Sequence, residues 1–225
     1  KMTKDSEENR AAFTAISNVE ALCHVVRAFK DDTVFHLDGS VDAARDIRYV
    51  ESELLLNDLL FTEARIEKLD HDIKRKNDER SKKERALVER IHHHLNEEMP
   101  LRLVEFTDDE KKVINAYPYL TRKNMLIALN VGENDIADTE LIGRLQAEFS
   151  PKGIHFVTVS CKIEQELSEI ADPAERALFL NDLKLTESAL ERITKMSYDV
   201  LGYITFFTVG EDEVRAWTVN KNTHA

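Results

Sequence analysis

The sequence predicts an α/β fold: a parallel sheet interrupted by an antiparallel coiled-coil insertion and followed by a β-hairpin. Three observations predict it. Three short apolar runs read as strands, residues 41–99 lack Pro and Gly while carrying a heptad seam, and two β-rich runs flank a short turn near residue 210.

The strand candidates are "ALCHVVRAF" (21–29), "MLIALN" (125–130) and "GIHFVTVS" (153–160). Each is apolar along its length rather than alternating, as expected for parallel strands covered on both faces. Between the last two, "DTELIGRLQAEF" (138–149) places Leu141, Ile142, Leu145 and Phe149 at helical spacing, with Asp138 or Thr139 as cap. Strand, helix, strand is a βαβ unit, whose crossover should be right-handed.

Between the first two strands, Leu55, Leu59, Thr62, Ile66, Leu69 and Ile73 alternate spacings of four and three. The seam fades through "KRKNDERSKK" (74–83) and resumes at Leu87, Ile91 and Leu95, so two helices folding back on each other fit best. Lys74, Arg75, Lys76, Arg80, Lys82, Lys83 and Arg85 face three acidic residues in 74–85, a local charge of +4 in a protein of net −12. This tip reads either as a solvated helical turn or as an electrostatic foot for a phosphate backbone.

After the third strand, "ADPAERALFL" (171–180) has Asp172 as cap, Pro173 at the first helical position and Glu175 to reach back. "LTESALERITKMSYDVL" (185–201) is amphipathic through Leu190, Ile193, Met196 and Val200. "YITFFTVGEDEVRAWTV" (203–219) reads as two strands joined at "GED" (210–212).

Hydrophobic residues make up 42% and charged residues 33%, a globular composition with a strongly charged part. The first ten residues lack the apolar core of a signal peptide, and no apolar run is long enough to span a membrane. Cys23 and Cys161, the only cysteines, sit in or beside apolar runs and are expected as buried reduced thiols in a cytoplasmic protein. The acidic net charge excludes indiscriminate nucleic-acid binding by the whole surface.

The candidate chemistry lies at strand ends. In open α/β sheets ligands bind beyond the carboxyl ends of the strands, where Asn130 and Ser160 fall. An Asn amide donates and accepts at once, so it can bridge a base nitrogen and a neighbouring loop. GTPases place N-K-x-D at such a position, with the Asp taking the two N–H donors of guanine. Here the residues are Asn130-Val131-Gly132-Glu133. The longer Glu moves the carboxylate from where guanine needs it, so guanine selectivity should weaken and adenine become acceptable. His92, His93 and His94 cannot converge on one ion from a helix, because successive residues point about 100° apart. No G-x-x-x-x-G-K-[S/T] phosphate loop occurs in the 225 residues.

Four segments together carry a resemblance: "HVVRAFKDDTVFHLDGSVDAARDI" (24–47), "NVGEND" (130–135), "LTESALERI" (185–193) and "FFTVGEDEVRAWTV" (206–219). Over residues 16–225 the sequence resembles the YchF group of Obg-related P-loop NTPases, the Obg-like ATPases. The last segment is the most specific, being similar to the entrance of that family's β-grasp TGS domain.

The resemblance implies a partial P-loop NTPase: a G domain in 1–44 and 101–201, split by an antiparallel coiled coil in 45–100, and the start of a TGS domain in 202–225. It implies hydrolysis of ATP, with GTP as a second substrate, with Mg²⁺, and association with ribosomes or ribosomal RNA. Asn130, Val131 and Glu133 match the family's altered base-reading motif, and Ser160, Cys161 and Lys162 match its second base-side loop. The family's G-x-P-N-V-G-K-S loop and D-x-A-G-L switch are not among these residues. Mg²⁺ is therefore expected on residues outside the chain, and no residue here is assigned the chemical step. The competing expectation is a non-enzymatic RNA- or ribosome-binding module with a basic-tipped arm. Oligomeric state is left open, since a heptad seam closes equally on itself or on a partner.

Overall fold

In the computed structural model, residues 7–76, 78–136 and 138–221 are described. The elements run α1 (Glu7–Ser17), β1 (Ala21–Arg27), α2 (Ala43–Lys76), α3 (Glu79–Asn96), α4 (Asp108–Ile114), β2 (Asn124–Asn130), α5 (Thr139–Phe149) and β3 (Ile154–Val159). After these come α6 (Cys161–Glu169), α7 (Pro173–Asp182), α8 (Ala189–Leu201), β4 (Tyr203–Val209) and β5 (Val214–Asn220). They form two compact units. One holds the helical hairpin and the chain through α4 to Asn124, with Pro151–Gly153; the other holds Cys23–Ala43, Met125–Ser150 and the chain from Ile154.

In the helical unit, α2 is 34 residues long, about 51 Å at 1.5 Å per residue. Helix α2 ends at Lys76, and Asp78 accepts from the Ser81 amide as the N-cap of α3. Ion pairs fix the sense of the hairpin. Asp70 meets Arg85 at 2.7 Å, Arg65 meets Glu84, and Glu63 meets His92 at 3.7 Å. As the α2 number falls the α3 number rises, or nearly holds, so the helices are antiparallel. The predicted seam lies inside: Thr62, Leu69, Leu87, Ile91 and Leu95 are buried, and Leu55 and Leu59 pack on the same cluster. Phe61, Tyr117 and Tyr119 close it edge to face, with centroids 5.4–5.8 Å apart.

A polar hub is set into this core. Asp58 is fully buried and accepts from the Leu120 amide, the Thr121 amide and the Thr121 hydroxyl at 2.7–2.8 Å. The hub pins residues 120–121 against α2. Nearby, Arg102 donates to Glu51 and, through Nε, to the Lys152 carbonyl at 2.6 Å.

In the other unit, the sheet order is β1-β2-β3, with β2 and β3 parallel from Met125↔Ile154 to Asn130↔Val159. Both faces of the β2–β3 pair are covered. Ala189, Ile193 and Met196 of α8 pack on Leu126, Ala128, Val157 and Val159. Phe149 of α5 meets Phe156, on the alternate face, with rings 6.4 Å apart. Helix α5 begins where predicted, with Asp138 accepting from Glu140 and Leu141 amides. Helix α8 starts with a Ser188–Glu191 capping box and ends at Gly202, whose φ of 67° suits a residue without Cβ. Strands β4 and β5 pair antiparallel from Tyr203↔Asn220 to Val209↔Val214.

The structure corrects four expectations. Strand β1 is not buried on both faces: it ends the sheet order, and its Val25 is 61% exposed. Leu190 is not on the packed face of α8. It is 70% exposed, because Ala189 takes the inward position at the first turn. Neither cysteine is buried: Cys23 lies on the exposed β1, and Cys161 opens α6 where the chain leaves the sheet. Helix α6 itself was not expected, since Ile163 and Leu167 are its only buried residues and give too thin a stripe to read.

A candidate nucleotide-base cleft

The strands end together. The Ala28 amide donates to the Asn130 carbonyl at 2.7 Å, and the Val131 amide to the Val159 carbonyl at 2.9 Å. Three segments therefore leave the sheet from one edge: the loops 28–31 and 131–136, and 160–162, which runs into α6. Between them opens a cleft of about 770 Å³, within the range of small-molecule sites. All six residues named from the second and third loops line it: Asn130, Val131, Glu133, Ser160, Cys161 and Lys162.

Two contacts bind the loops to each other. The Asn130 Oδ1 accepts from the Cys161 amide at 3.1 Å. With its oxygen engaged, the carboxamide keeps its Nδ2 hydrogens for an acceptor in the cleft. Lys162 Nζ donates to Glu133 Oε2 at 2.8 Å, and this bond raises the lysine's pKa above its ordinary value. The Lys162 side chain is 67% exposed, so the pair orients the Glu133 carboxylate more than it stabilises the fold. Ser160 is buried at the N-cap of α6 without capping it, and its Oγ has no hydrogen-bond partner. Val131 is 5% exposed and its amide is spent in the sheet, so it contributes wall rather than a donor.

Gly132 is a point of close approach. A Cβ there would stand 2.9 Å from Asp135 Oδ2 and 3.9 Å from the Phe29 Cβ. The cleft carboxylates do not gather into a cation site. Among the described residues, no group of three His, Cys, Asp or Glu could hold a metal ion, the His92–His94 triplet included.

The basic tip belongs to the helical unit. Lys74, Arg75, Arg80 and Lys83 are exposed. Lys82 pairs with Glu79 at 2.8 Å. Arg85 is drawn into the hairpin by Asp70 at 2.7 Å and Glu89 at 3.1 Å, which makes it a brace between helices. The Lys76 side chain lies outside the described residues.

Comparison with protein-family models finds no match. The chain is 37% identical over 213 residues to the Ribosome-binding ATPase YchF of Bacillus subtilis (strain 168), covering 93% of this chain and 58% of that one. It is 30% identical over 224 residues to Obg-like ATPase 1 of Oryza sativa subsp. indica, covering 96% and 55%. The structure of the Schizosaccharomyces pombe YchF GTPase superposes with a TM-score of 0.84 at 29% identity, over 96% of this chain and 59% of that one.

The chain belongs to the YchF/Obg-like ATPase family.

It spans a little over half the length of the family members it matches. In this YchF-family chain, sequence reasoning missed one wall of the cleft, formed by Phe29, Lys30 and Asp31. These residues end or follow the first strand candidate, but only the sheet order, with β1 beside β2, brings them to Asn130. Arg27 organises that wall. Its guanidinium donates to the carbonyls of Phe29, Asp31, Val34 and Phe35 at 2.9–3.4 Å and lies 4.6 Å from the Phe29 ring centroid. Arg144 of α5, also missed, lines the cleft too.

Proposed function

We propose that this chain carries the base-gripping part of a nucleotide-dependent switch ATPase that works on ribosomes in the cytoplasm. The observation that carries the reading is the Asn130–Cys161 clamp across the mouth of the cleft. A purine placed there meets the Asn130 Nδ2 donor, the Val131 wall and the Phe29 side. The Glu133 carboxylate is turned to Lys162 and is one methylene longer than the Asp that reads guanine, so adenine is the favoured base and GTP the second substrate. The phosphates and Mg²⁺ belong to residues outside this chain, and phosphoryl transfer in this class is mainly positioning and charge stabilisation.

In this reading, 1–44 and 101–201 are parts of a G domain, 45–100 is an arm, and 202–225 begins a TGS domain. The curated relative from Bacillus subtilis is named a ribosome-binding ATPase, which supports the ribosome as partner. The exposed Lys74, Arg75, Arg80 and Lys83 suit a contact with ribosomal RNA, whereas Lys82 and Arg85 are paired within the arm.

The test is a fluorescent-nucleotide titration of the full-length protein with its phosphate loop intact. ATP should bind with at least the affinity of GTP and turn over. A full-length protein that binds ribosomes yet neither binds nor hydrolyses ATP would leave the non-enzymatic ribosome-binding module in its place.

A further inference from the structure

A second cleft, of about 490 Å³, lies within the helical unit. Its apolar floor includes Leu101 and Ile114, which are 1% and 0% exposed. Three cations line it, Arg102, Lys111 and Arg122, against the single carboxylate of Glu105. Glu105 is exposed, so water screens it.

The cations are unevenly neutralised: Arg102 has a carboxylate partner in Glu51, Lys111 an exposed one, and Arg122 none among the described residues. Arg122 is half-buried, and its guanidinium donates to the Asn115 side-chain oxygen, a neutral acceptor. Among the described residues no carboxylate forms an ion pair with it, and burial alone lowers its basicity. Arg102 is seated behind, with its side chain 3% exposed. Two of its nitrogens are spent on Glu51 and the Lys152 carbonyl, while Nη1 has no acceptor. Lys111 reaches Asp108 at 3.3 Å, but both side chains are exposed and such a pair holds weakly.

A half-buried guanidinium without a counter-charge, as at Arg122, is unfavourable, and its fork matches the oxygens of a phosphate group. The cleft is therefore short of an anion. We propose that it binds a phosphate group, gripped by Arg122 and Lys111, with Arg102 adding positive charge from behind. The group comes either from a free phosphate ion or from an RNA backbone. The proposal is independent of the nucleotide reading, because every residue it uses lies in the helical unit.

Titration of the protein with inorganic phosphate, and separately with a ten-nucleotide uridine oligomer, followed by amide chemical shifts of 101–122, tests it. Saturable shifts are expected with one or both probes. Phosphate alone shifting these amides assigns a free phosphate, and the oligomer alone assigns a phosphodiester. Arg122→Gln should weaken binding about tenfold or more, the size expected for one charge-assisted hydrogen bond. Lys111→Glu, on an exposed side chain that does not hold the fold, should weaken it several-fold. No saturable shift with either probe overturns the proposal. So does an equal loss in Lys195→Gln, a cation elsewhere, because that reports charge alone.

Discussion

The backbone amide of Cys161 donates to the side-chain oxygen of Asn130 across 3.1 Å, tying together the loops that follow β2 and β3. One carboxamide thus fixes two walls of the cleft and its own orientation. Asn130→Ala frees the Cys161 amide and deletes the donor offered to a base. Fluorescent-nucleotide binding by the full-length protein should weaken about tenfold or more, as for loss of one well-placed hydrogen bond. Exchange of the Cys161 amide proton should accelerate in the same variant. Unchanged affinity would remove Asn130 from the site.

In the proposed reading, Glu133 sets the base preference through its length and its bond to Lys162. Glu133→Asp shortens the carboxylate and loosens that bond, and Val131→Lys restores the residue that guanine readers use. The double variant should move the ratio of ATP to GTP affinity towards GTP by roughly tenfold, the scale of one recovered polar contact. Competition titration with the two nucleotides reads the ratio directly. A ratio that does not move would mean that the base is read elsewhere.

At the arm tip, Arg80 and Lys83 are exposed, whereas Arg85 is held between helices. Arg80→Glu with Lys83→Glu should weaken ribosome pelleting and lower its salt slope by about 2, one unit per lost phosphate contact. Arg85→Gln should instead lower thermal stability. Pelleting that is indifferent to Arg80 and Lys83 at every salt concentration would take RNA contact away from the tip.

Asp58 should control the stability of the helical unit. Asp58→Asn turns an amide donor towards amides and a hydroxyl that now donate to a carboxylate, a cost of about 3 kcal/mol in urea unfolding. Burial raises the Asp58 pKa above the ordinary 3.8, opposed by the hydrogen bonds it accepts. A carboxyl raised in the folded state contributes stability that is complete below its unfolded pKa and is lost as pH rises through the folded value. The gap between wild type and variant should therefore widen as pH falls towards 3.8, measured as urea midpoints at stepped pH. A gap constant with pH would place Asp58's titration at its unfolded value.

Strand ends, the α5 cap and the hairpin turn were legible because each rests on local chemistry: an apolar run meeting Asn130, Asp138 ahead of a helical stripe, a seam fading at the tip. The Asp58 hub was not legible, since its partners Leu120 and Thr121 lie sixty-odd positions along the chain and an aspartate in a charged helix looks solvated. Leu190 was misassigned because size suggested the core, whereas helix phase gave that place to Ala189. In the cleft, Asn130, Glu133 and Ser160–Lys162 followed from strand ends and motif. Phe29 and Arg144 did not, as their place depends on which strands stand side by side and how α5 lies on them.

Arg27 has a wider consequence. Residues 28–42 contain no helix or strand, and Phe35 and Leu37 in that stretch are 83% and 79% exposed. One guanidinium, holding four carbonyls, keeps much of this stretch in place. Such a segment opens cooperatively rather than fraying residue by residue. Its opening should be the earliest sub-global event around the cleft, and a bound base that touches Phe29 would suppress it, making ligand occupancy readable as slowed proton exchange far along the same stretch.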